Sequence, residues 1–169
     1  MKRFSLIGTI LLSSFFVYGQ NVVEGVVFEV PEGDIIRVVL NSGDTISAKI
    51  NNIECPEVNQ SFGDVAISFT KKACLNKNVT LSYTDYDRDL NYLAFVTLKK
   101  DKDLGALLLE QGLAWYYAKG LSTNPQTSLY LDLEEEAKKK KKGLWKEPEQ
   151  IPPWTFRNHQ NKWEGKTSI

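Results

Sequence analysis

Histidine is almost missing from this 169-residue sequence: His159 is the single one, and it falls near the C-terminus. Chemistry run by a histidine base is therefore improbable. With only Cys55 and Cys74 beside it, no Cys/His cluster exists to hold a structural zinc. Net charge is lacking too, since 21 basic residues balance 21 acidic ones. A chain whose whole surface grips nucleic acid is usually basic, so any such contact here must be local. There is no internal repeat and no apolar run long enough to span a bilayer comfortably. A short apolar run, Phe4 to Val17, follows Lys2 and Arg3 and leads into Tyr18-Gly19-Gln20. That is the charged, apolar, small order of a secretory signal, with cleavage expected after Gly19. An uncleaved anchor is the alternative.

Residues 1–19 are thus read as a signal peptide, 20–150 as one domain, and 151–169 as a Pro/Trp-containing tail, loose after about Arg157. The expected product is exported, periplasmic or secreted, free of the membrane once the signal is removed, and carries a formal charge of −2. Export permits a Cys55–Cys74 bridge, but Cys74 falls on the apolar side of an expected helix, where a free cysteine behaves as a small hydrophobe.

Alternating and valine-rich stretches between Val22 and Asp85 predict strands. Gly25 suggests a bulge or bend, and Pro31-Glu32-Gly33-Asp34 and Asn41-Ser42-Gly43-Asp44 read as turns. In the third strand Ile46, Ala48 and Ile50 face a core, so Lys49 projects from the opposite face. A helix is expected from Gly63 or Asp64, carrying Val65, Ala66, Phe69 and Ala73 at three- and four-residue spacings. Further strands follow over Val79–Tyr83 and Leu90–Leu98. A short helix buries Leu104, Leu107 and Leu108, and a last helix runs from about Ser128 to Gly143. Within it Glu134, Glu135 and Glu136 precede Lys138, Lys139 and Lys140 by four residues, the favoured order for helix ion pairs. The lysine run reads as a solvated face rather than a phosphate patch, and Trp115, Tyr116 and Tyr117 as packing residues rather than a base-stacking platform. The expected fold is α+β: a five-stranded OB-fold β-barrel with three α-helices.

Glu54 and Glu57 flank Pro56 where the third strand ends and the helix begins. Paired carboxylates at such a junction can hold a hard cation or handle a proton. In order along the chain stand Glu32-Gly33-Asp34-Ile35, Ile53-Glu54-Cys55-Pro56-Glu57, Gln60, Phe62-Gly63 with Ala66, Gln111-Gly112-Leu113-Ala114 and Gly143-Leu144-Trp145, closing on Pro152-Pro153-Trp154. This series resembles the thermonuclease family, the staphylococcal-nuclease-like domains, from about Val22 to Arg157.

The resemblance implies a calcium-dependent phosphodiesterase acting on single-stranded DNA or RNA, working as a monomer. Asp34 and Glu54 fall on the metal-binding acids, and Glu57 on the glutamate that activates or positions water. Lys49 stands where the first phosphate-gripping arginine belongs. For the second arginine, a gap-free alignment of Leu93-Ala94-Phe95-Val96 puts Asn91 in its place. The alternative sets Tyr86-Asp87-Arg88 on the family's Tyr-Gly-Arg and makes Arg88 the phosphate ligand. Losing the arginines implies weakened activity. The rival reading is a catalytically degenerate module that binds nucleic acid or a protein partner.

Overall fold

The computed structural model describes residues 21–117 and 125–164. The expected signal segment, and the start of a polar loop that the sequence predicts over Ser122–Thr127, lie outside the described residues. Three antiparallel strands open the fold: β1 (Asn21–Glu32), β2 (Ile35–Leu40) and β3 (Thr45–Ile50). A two-residue strand β4 (Ile53–Glu54) leads to helix α1 (Gly63–Cys74), followed by β5 (Asn78–Tyr86), β6 (Tyr92–Leu98) and the short β7 (Lys102–Asp103). Helix α2 (Leu104–Glu110), β8 (Trp115–Tyr116), α3 (Pro125–Lys139) and α4 (Pro153–Glu164) complete it.

The strands run in the order β3-β2-β1-β5-β6-β7, and a parallel pairing of β3 with β6 joins the ends. Ala48 sits opposite Tyr92, Lys49 opposite Leu93 and Ile50 opposite Ala94. The result is the expected five-stranded mixed barrel. Closure removes the open edges that would otherwise invite pairing with another chain. Alternation puts Val27, Ile36, Val38, Ile50, Leu81 and Val96 inside, each essentially inaccessible to water. Each such side chain contributes about 1.5–3 kcal/mol relative to staying exposed.

Helix α1 closes one side of the barrel with Ala66, Thr70 and Cys74, and α2 adds Leu104, Leu108 and Leu109. Asp103 caps α2 by accepting from the Ala106 amide at 3.0 Å, and it also accepts the hydroxyl of the buried Tyr130 at 2.8 Å. One side chain thus ties α3 to α2 and satisfies two donors.

Three local features differ from expectation. Among the described residues there are four α-helices, not three, because the chain is helical from Pro153 to Glu164 where a tail was expected. Pro153 is its first residue, the position where a missing N–H costs nothing. Likewise α3 begins at Pro125 rather than Ser128. Gly25 carries no bulge: it pairs in register with Leu40 and Val79, and the shifts lie between Val27 and Glu29 and between Glu29 and Glu32. It is required instead because a Cβ there would strike the Val39 carbonyl oxygen. Cys55 and Cys74 are both buried and free, so the bridge that the sequence left open is not formed.

Candidate functional site

The turn between β1 and β2 sets the floor of the site. At Gly33 a Cβ would fall 2.7 Å from the Cβ of Ala66 and 2.8 Å from that of Cys55, so the turn presses on α1 only because the residue is glycine. The Gly33 carbonyl accepts the Thr70 hydroxyl at 2.6 Å, which fixes the turn to α1. Asp34 follows, 2% exposed, and its Oδ2 accepts the Cys55 amide at 3.3 Å. Lys49 leaves β3 on the face opposite Ala48 and Ile50, as alternation requires, and its Nζ lies 3.5 Å from Asp34 Oδ2 and 3.2 Å from Glu54 Oε2. Glu54, 4% exposed, is positioned by the pairing of β4 with β8, where it faces Trp115.

Burial dominates the electrostatics. It pushes the Asp34 carboxyl up to about 6, against the pull of Lys49 and with help from the charge of Glu54. Burial also works against the charge on Lys49, but Asp34 and Glu54 together more than offset it and hold the ammonium above its ordinary value. Both shifts follow from one arrangement, in which the Lys49 ammonium lies between two buried acids. Half-buried Glu32 is raised as well, first by burial and then by the charge of Glu57. The floor is short of positive charge.

Glu57 sits on the loop into α1. Its amide donates to the Gln60 side chain at 3.2 Å, its carbonyl accepts the Gln60 amide at 2.9 Å, and Gly63 is needed because a Cβ there would run into that carbonyl. The Gln60 side chain also donates to the Ile151 carbonyl at 2.5 Å, tying the loop to the segment that enters α4. From α4 comes a residue that the sequence reading did not assign. Arg157 Nη1 lies 2.5 Å from Glu57 Oε1 and 3.1 Å from Glu54 Oε2. One turn earlier on the same helix, Trp154 stacks on Tyr117, with centroids 4.8 Å apart and planes tilted by 30°. The signal was present in Pro152-Pro153-Trp154: a proline at the first helical position with Trp154 and Arg157 three residues apart on one face.

Lys49, Glu54, Glu57, Tyr117, Trp154 and Arg157 line one cavity of about 720 Å³, together with Glu32, Ile35, Asp87, Arg88, Asp89 and Asn158, and Asp34 lies buried beneath Lys49. Five carboxylates (Glu32, Glu54, Glu57, Asp87 and Asp89) face three cations, Lys49, Arg88 and Arg157. Asp34, Lys49, Glu54 and Glu57 are therefore brought together, whereas Arg88 stands exposed on the β5–β6 turn and forms no ion pair among the described residues. Asn91 is mostly buried and spends its side-chain amide on Asp87 Oδ2 at 3.0 Å. That contact and the amides of Asp89 and Asn91 hold the Asp87 carboxyl below its ordinary value despite partial burial. Leu90 has φ 62°, the left-handed conformation that favours glycine, and in the gap-free alignment it occupies the family's glycine. Trp115 is buried against Trp145, Tyr117 lines the cavity, and Lys138, Lys139 and Lys140 pair with glutamates of their own helix. His159 is exposed and lies outside the cavity.

Residues 47–147 match the family described as Staphylococcal nuclease homologue. The chain belongs to that family. Among its relatives is a protein of Escherichia coli O157:H7 named an uncharacterized endonuclease, 29% identical over 138 residues, covering 82% of this chain and 87% of that protein. A micrococcal nuclease of Shigella flexneri is 27% identical, with 79% of each chain covered. An uncharacterized endonuclease of Haemophilus influenzae is 29% identical over 79% of this chain and 72% of its own length. The staphylococcal nuclease match starts after Asp34 and stops before α4, so it spans Lys49, Glu54 and Glu57 but not Arg157.

Proposed function

We propose that this chain is a calcium-dependent nuclease that hydrolyses phosphodiester bonds of DNA or RNA, with activity reduced by the changes at the arginine positions. The observation that carries the reading is the convergence of Glu54 and Glu57 with Lys49 in one open cavity, with Asp34 buried against Lys49 beneath it. The endonuclease and micrococcal nuclease names of its relatives support it.

Among the described residues, no group of three or more His, Cys, Asp or Glu side chains is already close enough to form a metal cage. The donor chemistry nevertheless fits calcium. Two buried carboxylates, Asp34 and Glu54, converge on the Lys49 ammonium, and calcium accepts a few such hard oxygens with waters and carbonyls filling the rest. Asp34 and Glu54 would hold the ion, which when bound supplies Lewis-acid polarisation of the phosphoryl oxygen. Glu57 takes a proton from, or orients, the attacking water. Lys49 and Arg88 bind phosphate oxygens as fixed or mobile cations, and fixed cations stabilise charge that grows in the transition state.

The deciding experiment is cleavage of single-stranded DNA and RNA by the protein lacking residues 1–19, with calcium and with chelator, beside Glu57→Gln. Cutting that needs calcium and is lost in the mutant is the expected result. Asn91 at the family's arginine position favours a second reading, a retired enzyme kept as a binder. It is chosen if the strands bind in a salt-sensitive manner and are never cut. We further infer export through residues 1–19, checked by N-terminal sequencing of the product outside the cytoplasm, which should begin at Gln20.

A further inference from the structure

We propose that Arg157, delivered by α4, is a phosphate-binding catalytic residue of this site, holding a non-bridging oxygen of the scissile phosphate at the mouth of the cavity. This assignment rests on the nuclease reading for its catalytic part but not for its binding part. It comes from the way the guanidinium is held. Both of its carboxylate contacts, to Glu54 and Glu57, are made through Nη1. Nε and Nη2 take no partner among the described residues, and the side chain is 41% exposed where it lines the cavity. Half of a planar fork is therefore anchored and half is free. That leaves two parallel N–H donors for a phosphate, the geometry in which arginine recognises such groups.

The anchoring is itself preorganised. Trp154 packs on Tyr117 three residues before Arg157, and the Ile151 carbonyl is tied to Gln60, so α4 is pinned at both the loop of Glu57 and the end of β8. The other cations of the cavity are less suited. Lys49 lies deep, 15% exposed, between Asp34 and Glu54 and offers a point charge rather than a fork. Arg88 stands on an exposed turn between Asp87 and Asp89, with no contact that orients it among the described residues. At position 91 the β5–β6 hairpin carries an amide already committed to Asp87. A helix about a hundred residues downstream of Glu57 supplies what the barrel does not.

The test uses the full chain without residues 1–19, as wild type, Arg157→Ala and Arg157→Lys. Each is assayed for cleavage of single-stranded DNA in calcium and, by calorimetry, for binding a 5′-phosphorylated mononucleotide with calcium and with chelator. Arg157→Ala is expected to lower kcat by about 10²–10³-fold, the usual loss of one oriented donor. It should weaken the mononucleotide by about tenfold or more. Arg157→Lys should recover part of the binding but less of kcat, because it keeps the charge and loses the fork. If the alanine variant does not fold, the gap between wild type and Arg157→Lys carries the same reading. Unchanged cleavage and unchanged mononucleotide binding in both variants overturn the assignment and leave the nuclease reading intact. Faster cleavage in Arg157→Ala overturns it too, marking the guanidinium as a guard on the carboxylates. A wild type that cuts nothing, with mononucleotide binding that Arg157→Ala destroys, sinks the nuclease reading while the phosphate-binding assignment stands. A wild type that neither cuts nor binds removes both.

Discussion

Lys49 and Glu54 stand on strands that barrel closure and the β4–β8 pairing lock in place, and Asp34 on the tight turn between β1 and β2, whereas Trp154 and Arg157 ride on a helix held to the site through Tyr117, Glu54 and Glu57. The first group is almost fully buried and the second half-exposed. The difference separates two tasks. Holding an ion needs buried acids that do not move, while meeting a large polyanion needs cations at a rim that solvent can reach. It also sorts the two by cost, since the buried half concentrates unfavourable charge and the rim half does not.

Glu57 joins the halves through its contact with Arg157, so changing it tests both at once. Glu57→Gln keeps the shape and the donor–acceptor reach of the side chain but removes its proton affinity. Cleavage in calcium should fall by about 10²–10⁴-fold, the usual worth of a positioned acid–base group, with the thermal midpoint nearly unchanged. Initial rates on single-stranded DNA measure it, and a rate within about threefold of wild type, far short of that worth, would take Glu57 out of the chemistry.

The next effect belongs to the buried half alone. Asp34 has a folded pKa of about 6 against an ordinary 3.8, mainly through burial. A group whose folded pKa is raised contributes stability that is complete below the unfolded pKa and lost as pH rises through the folded one. Metal-free protein should therefore lose about 3 kcal/mol from this carboxyl between roughly pH 4 and pH 7. In chelator, urea midpoints at about pH 5 and about pH 7.5 should differ in the wild type and differ much less in Asp34→Asn, and calcium should close the gap at the higher pH by favouring the ionised form. An identical pH slope in the mutant would mean that the strain lies elsewhere.

The same division explains what the sequence alone disclosed. Strand periodicity, the hairpin turns and the start of α1 are local, and so the barrel followed from them, as did the outward face of Lys49 and the junction that carries Glu54 and Glu57, whereas Asp34 entered the site only through the family resemblance. Arg157 is about a hundred residues from the carboxylates it meets, and no local pattern encodes that meeting. Pro152-Pro153 looked like the punctuation of a tail because proline both ends helices and begins them, and only packing against Tyr117 decides which. Gly25 failed for a related reason, since a close approach to another strand's carbonyl leaves the same mark on a sequence as a bulge.

If α4 is pinned mainly at its start, loosening that pin should disturb the rim half and spare the floor. Trp154→Ala removes the stack on Tyr117, an arrangement worth about 0.5–1.5 kcal/mol beyond area burial. Amide hydrogen exchange in α4 should quicken by about 2–10-fold while β3 and β6 keep their protection, since local opening need not involve the barrel. Cleavage should fall by a similar small factor. Equal loss of protection in β3 would show that the two halves unfold together.

The smallest effect is expected where positive charge is densest. Lys139 and Lys140 are among the most exposed lysines of the run, and each is paired with a glutamate on its own helix rather than turned toward the cavity. Their charge is already neutralised locally and screened by solvent, so the Lys139→Ala, Lys140→Ala double variant should keep the thermal midpoint, the cleavage rate and the salt dependence of strand binding. Three cations around five carboxylates in one cavity would then govern phosphate recognition, and a run of five lysines from 138 to 142 would not. A shallower salt dependence in the double variant would place part of the strand on α3, because every lysine that neutralises a phosphate adds about one to that slope.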